Sequence, residues 1–247
     1  MQLYINKTEY FDTNEGFDLS ISIRGDHKGA RAWYVEHPVF EPVRANGFVG
    51  SVTEGGSTNF RNIFFNPHGH GTHTECLGHI TKEVYSINER LSTYHFKAEV
   101  VSVQPIQKGE DWVIDTSCFS KVGFSNTEAL IIRTLPNELS KKGLNYSNTN
   151  PPYIDVECVT LFNEWGVQHL LIDLPSVDRE SDEGVLAMHN AFWNTAENES
   201  STKTITEFIY VKDEIADGSY ILNLQVAPFE NDAAPSRPVI YPIKKED

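Results

Sequence analysis

The most constraining stretch of this 247-residue chain is a short helix-like pattern running straight into an apolar segment. Val156, Val159, Phe162 and Trp165 recur at helical spacing behind Asp155, a residue suited to an N-cap. Gly166 then supplies a stop, and Val167 to Asp173 follows as a largely apolar run centred on Leu170, Leu171 and Ile172. Such a run fits a strand covered on both sides, and a helix feeding it implies an α/β or mixed fold around a curved sheet. A second helix is predicted from near Asp182, carrying Val185, Met188 and Phe192.

Strands are expected to be the commoner element. Phe96 to Val103 and Ala129 to Arg133 are rich in β-formers, and Tyr220 to Val226 alternates with Leu222, Leu224 and Val226 on one face. Loops are marked by Glu54-Gly55-Gly56-Ser57 and by Asn145 to Pro152. Neither resembles a long linker, and no internal repeat is present, so residues 1–247 are expected to form one domain.

Charge narrows the function. Twenty basic against 35 acidic residues give a net charge of −15, which repels phosphate backbones and anionic lipid, so neither nucleic acid nor membrane is an expected partner. No apolar run approaches the length of a membrane span, and the N-terminus shows no secretory pattern. Cys76, Cys118 and Cys158 are odd in number and scattered, which argues against a disulfide framework and points to a reducing, cytoplasmic setting.

The chemistry is concentrated in Pro67-His68-Gly69-His70-Gly71-Thr72-His73-Thr74-Glu75-Cys76-Leu77-Gly78-His79. Four of the nine histidines fall within these residues. Imidazole and carboxylate are the usual ligands of zinc, manganese or iron. Gly69 and Gly71 permit backbone conformations closed to other residues. If His73 to Glu75 is extended, those two side chains share a face and can reach one ion. The bland alternative is a histidine-rich surface loop. Cys76 points away from Glu75 in an extended segment and is read as packing. Serine-hydrolase elbow, His-Glu-x-x-His, phosphate-loop and dinucleotide fingerprints are all missing.

Further along, Leu170 to Asp178 ends the apolar run with acids at its exit, a common place for sites. His189 adjoins Met188, and Glu207 shares a strand face with Ile205 and Ile209. A carboxylate on an apolar face is costly unless paired or metal-bound. Taken singly, His189 as a core histidine and Glu207 as an ion-pair partner are the plainer readings.

Taken in order, these segments resemble the cyclase family of metal-dependent hydrolases, to which bacterial kynurenine formamidase and isatin hydrolase belong. The family pattern His-x-Gly-Thr-His-x-Asp-x-Pro-x-His is echoed by Gly71-Thr72-His73, Glu75 in place of Asp, Leu77 in place of Pro, and His79. Ile172 to Asp178, His189, Glu207 and Pro228 to Arg237 resemble its later segments, and the match runs from about Phe17 to Ile243. The first family histidine would fall on Gly69, with His68 and His70 either side; one extra residue in the turn lets His68 serve, and His70 sits at a variable position. The interval from His189 to Glu207 requires an insertion such as Asn194 to Lys203.

The resemblance implies an α/β fold with a mixed, partly barrel-like sheet flanked by helices. It implies a divalent metal, zinc or manganese, as one or two ions. His68, His73 and Glu75 would hold the first, with Glu75, His189 and Glu207 completing a second site. His79 would act catalytically as a proton shuttle. Trp33, Tyr34 and Phe65 are candidates for an aromatic substrate wall. The implied reaction is hydrolysis of an amide C–N bond, as in an aryl formamide such as N-formylkynurenine. A cyclic amide or lactone is the alternative substrate, and a metal-binding protein without turnover the alternative class. A small-molecule substrate and a homo-dimer or homo-tetramer are expected.

Overall fold

A computed structural model describes residues 1–198 and 200–246. Its centre is a nine-stranded mixed sheet curled into a half-barrel. In chain order the strands are β1 (Phe17–Asp18), β2 (His73–Glu75), β3 (His95–Val103), β4 (Ala129–Thr134), β5 (His169–Ile172), β6 (Thr204–Glu207), β7 (Gly218–Asn223), β8 (Ala233–Pro235) and β9 (Val239–Pro242). Across the sheet they run β8-β2-β6-β5-β4-β3-β7-β9-β1. Strands β3, β4, β5 and β6 are mutually parallel, and the remaining pairings are antiparallel.

The central strands explain the apolar runs. Every residue of β4, β5 and β6 is buried, as a strand covered on both faces must be. Three helices accompany the sheet: α1 (Ile87–Arg90), α2 (Cys158–Trp165) and α3 (Ala187–Trp193). The helix α2 connects β4 to β5, and α3 connects β5 to β6. Both drive their apolar residues into one core, where Phe162, Phe192, Trp193, Leu130, Ile131 and Leu171 are inaccessible to solvent.

Element boundaries shift from those read in the sequence. Helix α2 begins at Cys158, three residues beyond Asp155. The Asp155 carboxylate accepts the Glu157 N–H at 3.1 Å, closing a turn ahead of the helix and leaving Val156 exposed. Gly166 ends it as expected, with φ of +89° and its N–H donating to the Asn163 carbonyl. Helix α3 begins at Ala187 rather than near Asp182. The Asp182 carboxylate accepts the Gly184 and Leu186 N–H groups and holds an irregular turn, which exposes Val185. Strand β7 stops at Asn223; Leu224 remains buried, whereas Val226 is half-buried and bridges Ser236.

Asp173 at the exit of β5 is a structural anchor. Fully buried, it accepts the Thr134 N–H and hydroxyl and pairs with Lys141 Nζ at 2.8 Å, tying β5 to the end of β4. Among the described residues, no helix is long and apolar enough to cross a membrane.

His169 opens β5 inside the core, with Nδ1 2.9 Å from Thr204 Oγ1 and its ring 4.0 Å from that of Phe96. Burial pushes its pKa down to about 4. The unfolded chain therefore takes up this proton first, and stability falls as pH drops from about 6.5 towards 4, by about 3 kcal/mol. His169→Gln should lose less stability on acidification than the wild type, as read by urea unfolding at a series of pH values. Parallel pH curves for the two proteins would contradict this assignment.

Candidate metal centre

The site grows out of cross-strand pairing. Strand β2 is extended, so His73 and Glu75 lie on one face, and their nearest ligand atoms are 4.0 Å apart. Strand β6 runs antiparallel beside it with Glu207 opposite His73 and Ile205 opposite Glu75. That register brings Glu207 Oε2 to 3.4 Å from His73 Nε2. The second Glu207 oxygen accepts the Val177 N–H at 3.1 Å, so the loop leaving β5 fixes its rotamer.

The turn before β2 supplies His68. Gly71 has φ of +68°, and a Cβ there would lie 2.8 Å from the Ile21 carbonyl oxygen, so glycine is required. His68 Nδ1 reaches 2.9 Å from Glu75 Oε2, and its Nε2 bonds Asp232 at 2.7 Å. His70 turns the other way. Its Nδ1 accepts the Asn66 N–H at 2.9 Å and its Nε2 donates to the Glu36 carbonyl at 2.7 Å, so both ring nitrogens are spent on the loop. His79, on a single 3₁₀ turn after β2, stacks on His68 with ring centres 4.1 Å apart; its Nε2 lies 3.9 Å from Glu75 and its Nδ1 3.4 Å from Asp232.

His189 enters from α3. Its Nδ1 bonds Asp178 at 2.6 Å and its Nε2 bonds Glu75 Oε1 at 2.9 Å, with Glu207 at 3.8 Å. Asp178 also accepts the N–H groups of Met188 and His189, securing the first turn of the helix.

Electrostatics follow from this crowding. Burial resists charge on Glu75, but the charge of His79, the hydrogen bond from His189 and the close approach of His68 hold it ionised, well below the usual carboxylate range. Burial likewise opposes protonation of His68 and His189. Asp232 and Glu75 outweigh it at His68, and Asp178 and Glu75 at His189, raising each to about 10. Even so, His68 Nδ1, His73 Nε2 and Glu75 Oε2 are buried atoms with no hydrogen-bond partner of acceptable geometry. These three unpartnered atoms cluster around Glu75, on side chains that can ligate a cation once the imidazoles give up their protons. His68, Glu75 and His79 form one group whose ligand atoms lie within 4.8 Å of one another, and His73, Glu75 and Glu207 form a second.

A cavity of about 370 Å³ opens over this cluster. His68, His79, His189 and Glu207 contribute to it, with Trp33, Val35, Asn66, Ser176 and Leu186 around them. Of the proposed aromatic wall, only Trp33 faces it. Tyr34 is exposed, its hydroxyl 3.3 Å from Glu180, and Phe65 packs towards Phe229. Both lie outside the lining: the chain turns at Trp33 and Tyr34 with positive φ, and the Phe65 ring lies 6.2 Å from that of Phe229. Cys76 is buried, its thiol donating to the Tyr85 carbonyl and raised by burial to about 11, which fits packing. Asp178 and Asp232 are the site residues missed by sequence reasoning. Each lies in a segment already singled out, but only the fold shows that they hold histidines. The Asn194–Lys203 interval leads from α3 to β6, and Glu199 within it lies outside the described residues.

The fold is a mixed α/β half-barrel, and its buried histidines and carboxylates form a candidate metal site. The family model for the cyclases, "Putative cyclase", matches residues 17–179, and the chain belongs to that family. The kynurenine formamidase of Bacillus thuringiensis (strain Al Hakam) is 27% identical over 236 residues, covering 94% of this chain and 99% of that one. That of Bacillus anthracis is 26% identical over 200 residues, covering 78% and 85%. Isatin hydrolase A from Labrenzia aggregata shares the fold with a TM-score of 0.60 at 13% identity, covering 92% of this chain and 93% of its own. A structure described as a potential metal-dependent hydrolase with cyclase activity gives 0.62 at 12% identity, covering 92% and 98%.

The two neighbouring histidines separate cleanly by experiment. His68→Ala should lower bound divalent metal by more than half, measured by elemental analysis of protein purified without a histidine tag. His70→Ala should keep its metal and lose thermal stability instead. The reverse pattern would place the ligand at position 70.

Proposed function

We propose that this cyclase-family chain is a metal-dependent amidohydrolase that cleaves the C–N bond of a small amide, with an aryl formamide as the leading substrate. The observation that carries the reading is the set of orphaned atoms on His68, His73 and Glu75 beneath a cavity of substrate size. Family membership and the kynurenine formamidase relatives support the reaction class.

His68, His73 and Glu75 would hold one divalent ion, with Glu207 and His189 placed for a second. When bound, such an ion lowers the pKa of water and polarises a carbonyl oxygen. The chain's own groups supply the rest. Asp178 fixes the ring of His189, and Asp232 orients both His68 and His79. His79, with 31% of its side chain exposed beside the cavity, is placed to give a proton to the departing amine nitrogen. Trp33, Val35 and Leu186 give the substrate an apolar wall that limits water.

The geometry also allows His79 to act as a ligand, because its Nε2 belongs to the first of the two candidate groups. One variant distinguishes the roles. His79→Ala should retain its metal and lose at least about 100-fold in kcat on formanilide, the scale of general acid–base catalysis. Loss of metal together with activity would make His79 a ligand, and full activity would remove it from the mechanism. Chelator should abolish wild-type turnover and added divalent ion restore it; turnover insensitive to chelator would overturn the metal-dependent reading.

A further inference from the structure

The cavity's charges say something about what enters it. Above the metal cluster, its lining carries two carboxylates not engaged by any histidine, Glu180 and Asp182. Both are fixed in place. Glu180 accepts the backbone N–H groups of Asn148 and Asn150, and Asp182 accepts those of Gly184 and Leu186. Neither is paired with a lysine or arginine among the described residues. The lining histidines are already engaged by Glu75, Asp178 and Asp232, and the one lysine or arginine of the lining, Arg179, is turned onto Asp111, with Nη2 at 3.0 Å and Nε at 3.1 Å from one carboxylate oxygen. Its charge is thereby spent. The remaining wall, Trp33, Val35 and Leu186, is apolar or aromatic.

A substrate end bearing a carboxylate would meet no uncommitted cation on this rim and two fixed negative charges, on a chain whose net charge is −15. An ammonium end would meet the opposite. Fixed charges at a partly desolvated rim are screened less than charges in free solution, so the preference should be large. Resting on the amidohydrolase reading above, we propose that this site selects aryl amides whose far end is cationic or uncharged and discriminates against those bearing a carboxylate, with Glu180 and Asp182 as the specificity-determining residues.

Three matched formanilides test this: para-aminomethyl, unsubstituted and para-carboxy. Each kcat/KM is normalised to that compound's own alkaline hydrolysis, which removes the substituent's effect on reactivity. The ammonium compound should exceed the carboxylate compound by at least about tenfold at low salt, and the ratio should shrink severalfold in about 0.5 M salt. Glu180→Gln, and separately Asp182→Asn, should each cut the ratio severalfold by raising the rate on the carboxylate compound. Equal rates on the two charged compounds, or a ratio unmoved by both substitutions, would overturn the proposal.

Calorimetric binding of the corresponding phenylureas, to the chain as purified and after loading with zinc, separates this proposal from the reading beneath it. If no formanilide is hydrolysed, the amidohydrolase reading fails. The binding order then decides selectivity alone: ammonium tighter than neutral and neutral tighter than carboxylate upholds it, whereas a carboxylate bound as tightly, or no binding of any of the three, overturns it.

Discussion

Glu75 is a carboxylate with almost no access to water, and the surrounding structure is arranged to compensate for that. An isolated buried carboxylate costs several kcal/mol or more and ordinarily neutralises itself. Here it stays ionised because His68, His79 and His189 converge on it from a glycine turn, a 3₁₀ turn and a helix. Strand β6 adds Glu207 to the same point, which deepens the excess of negative charge beside His73. Hydrogen bonds alone leave three ligand atoms unmatched. A divalent cation is the group whose charge and geometry complete the set.

The elements that look peripheral serve this one point. Asp173 clamps the end of β5 to β4 through Thr134 and Lys141, so the loop that follows leaves from a fixed origin. That loop delivers Val177, which anchors Glu207, and Asp178, which anchors both α3 and the ring of His189. Asp232, just before edge strand β8, does the same for His68 and His79. Carboxylates behind histidines orient the rings and set which nitrogen faces the cavity, a role that leaves them outside any ligand count while making them necessary to it.

Much of this was legible in the sequence. The apolar stretch of Leu170 to Ile172 read as a covered strand and forms β5, and the alternation of His73 and Glu75 placed both on one face once that segment was extended. Glu207 stood out on the face it shares with Ile205 and Ile209, but only the family resemblance made it a ligand candidate. What escaped was non-local. Asp155 and Asp182 carry N-cap chemistry, but each closes a turn ahead of its helix, so the helices start later than the caps suggested. Asp173 and Asp178 look alike at the end of one run, yet one binds Lys141 and the other His189, a distinction made by residues 32 and 11 positions away. Tyr34 lies outside the cavity where positive φ at Trp33 and Tyr34 turns the chain, and Phe65 lies outside it beside Phe229.

His68, His73 and Glu75 are proposed to surround a divalent ion. Anomalous diffraction from crystals of the chain, collected on either side of the zinc and manganese absorption edges, tests it most directly. The account predicts a peak within coordinating distance, about 2.0–2.2 Å, of His68 Nδ1, His73 Nε2 and a Glu75 oxygen. Crystals soaked in either metal that show no peak there, with the three side chains hydrogen-bonded only to water or to each other, would contradict it.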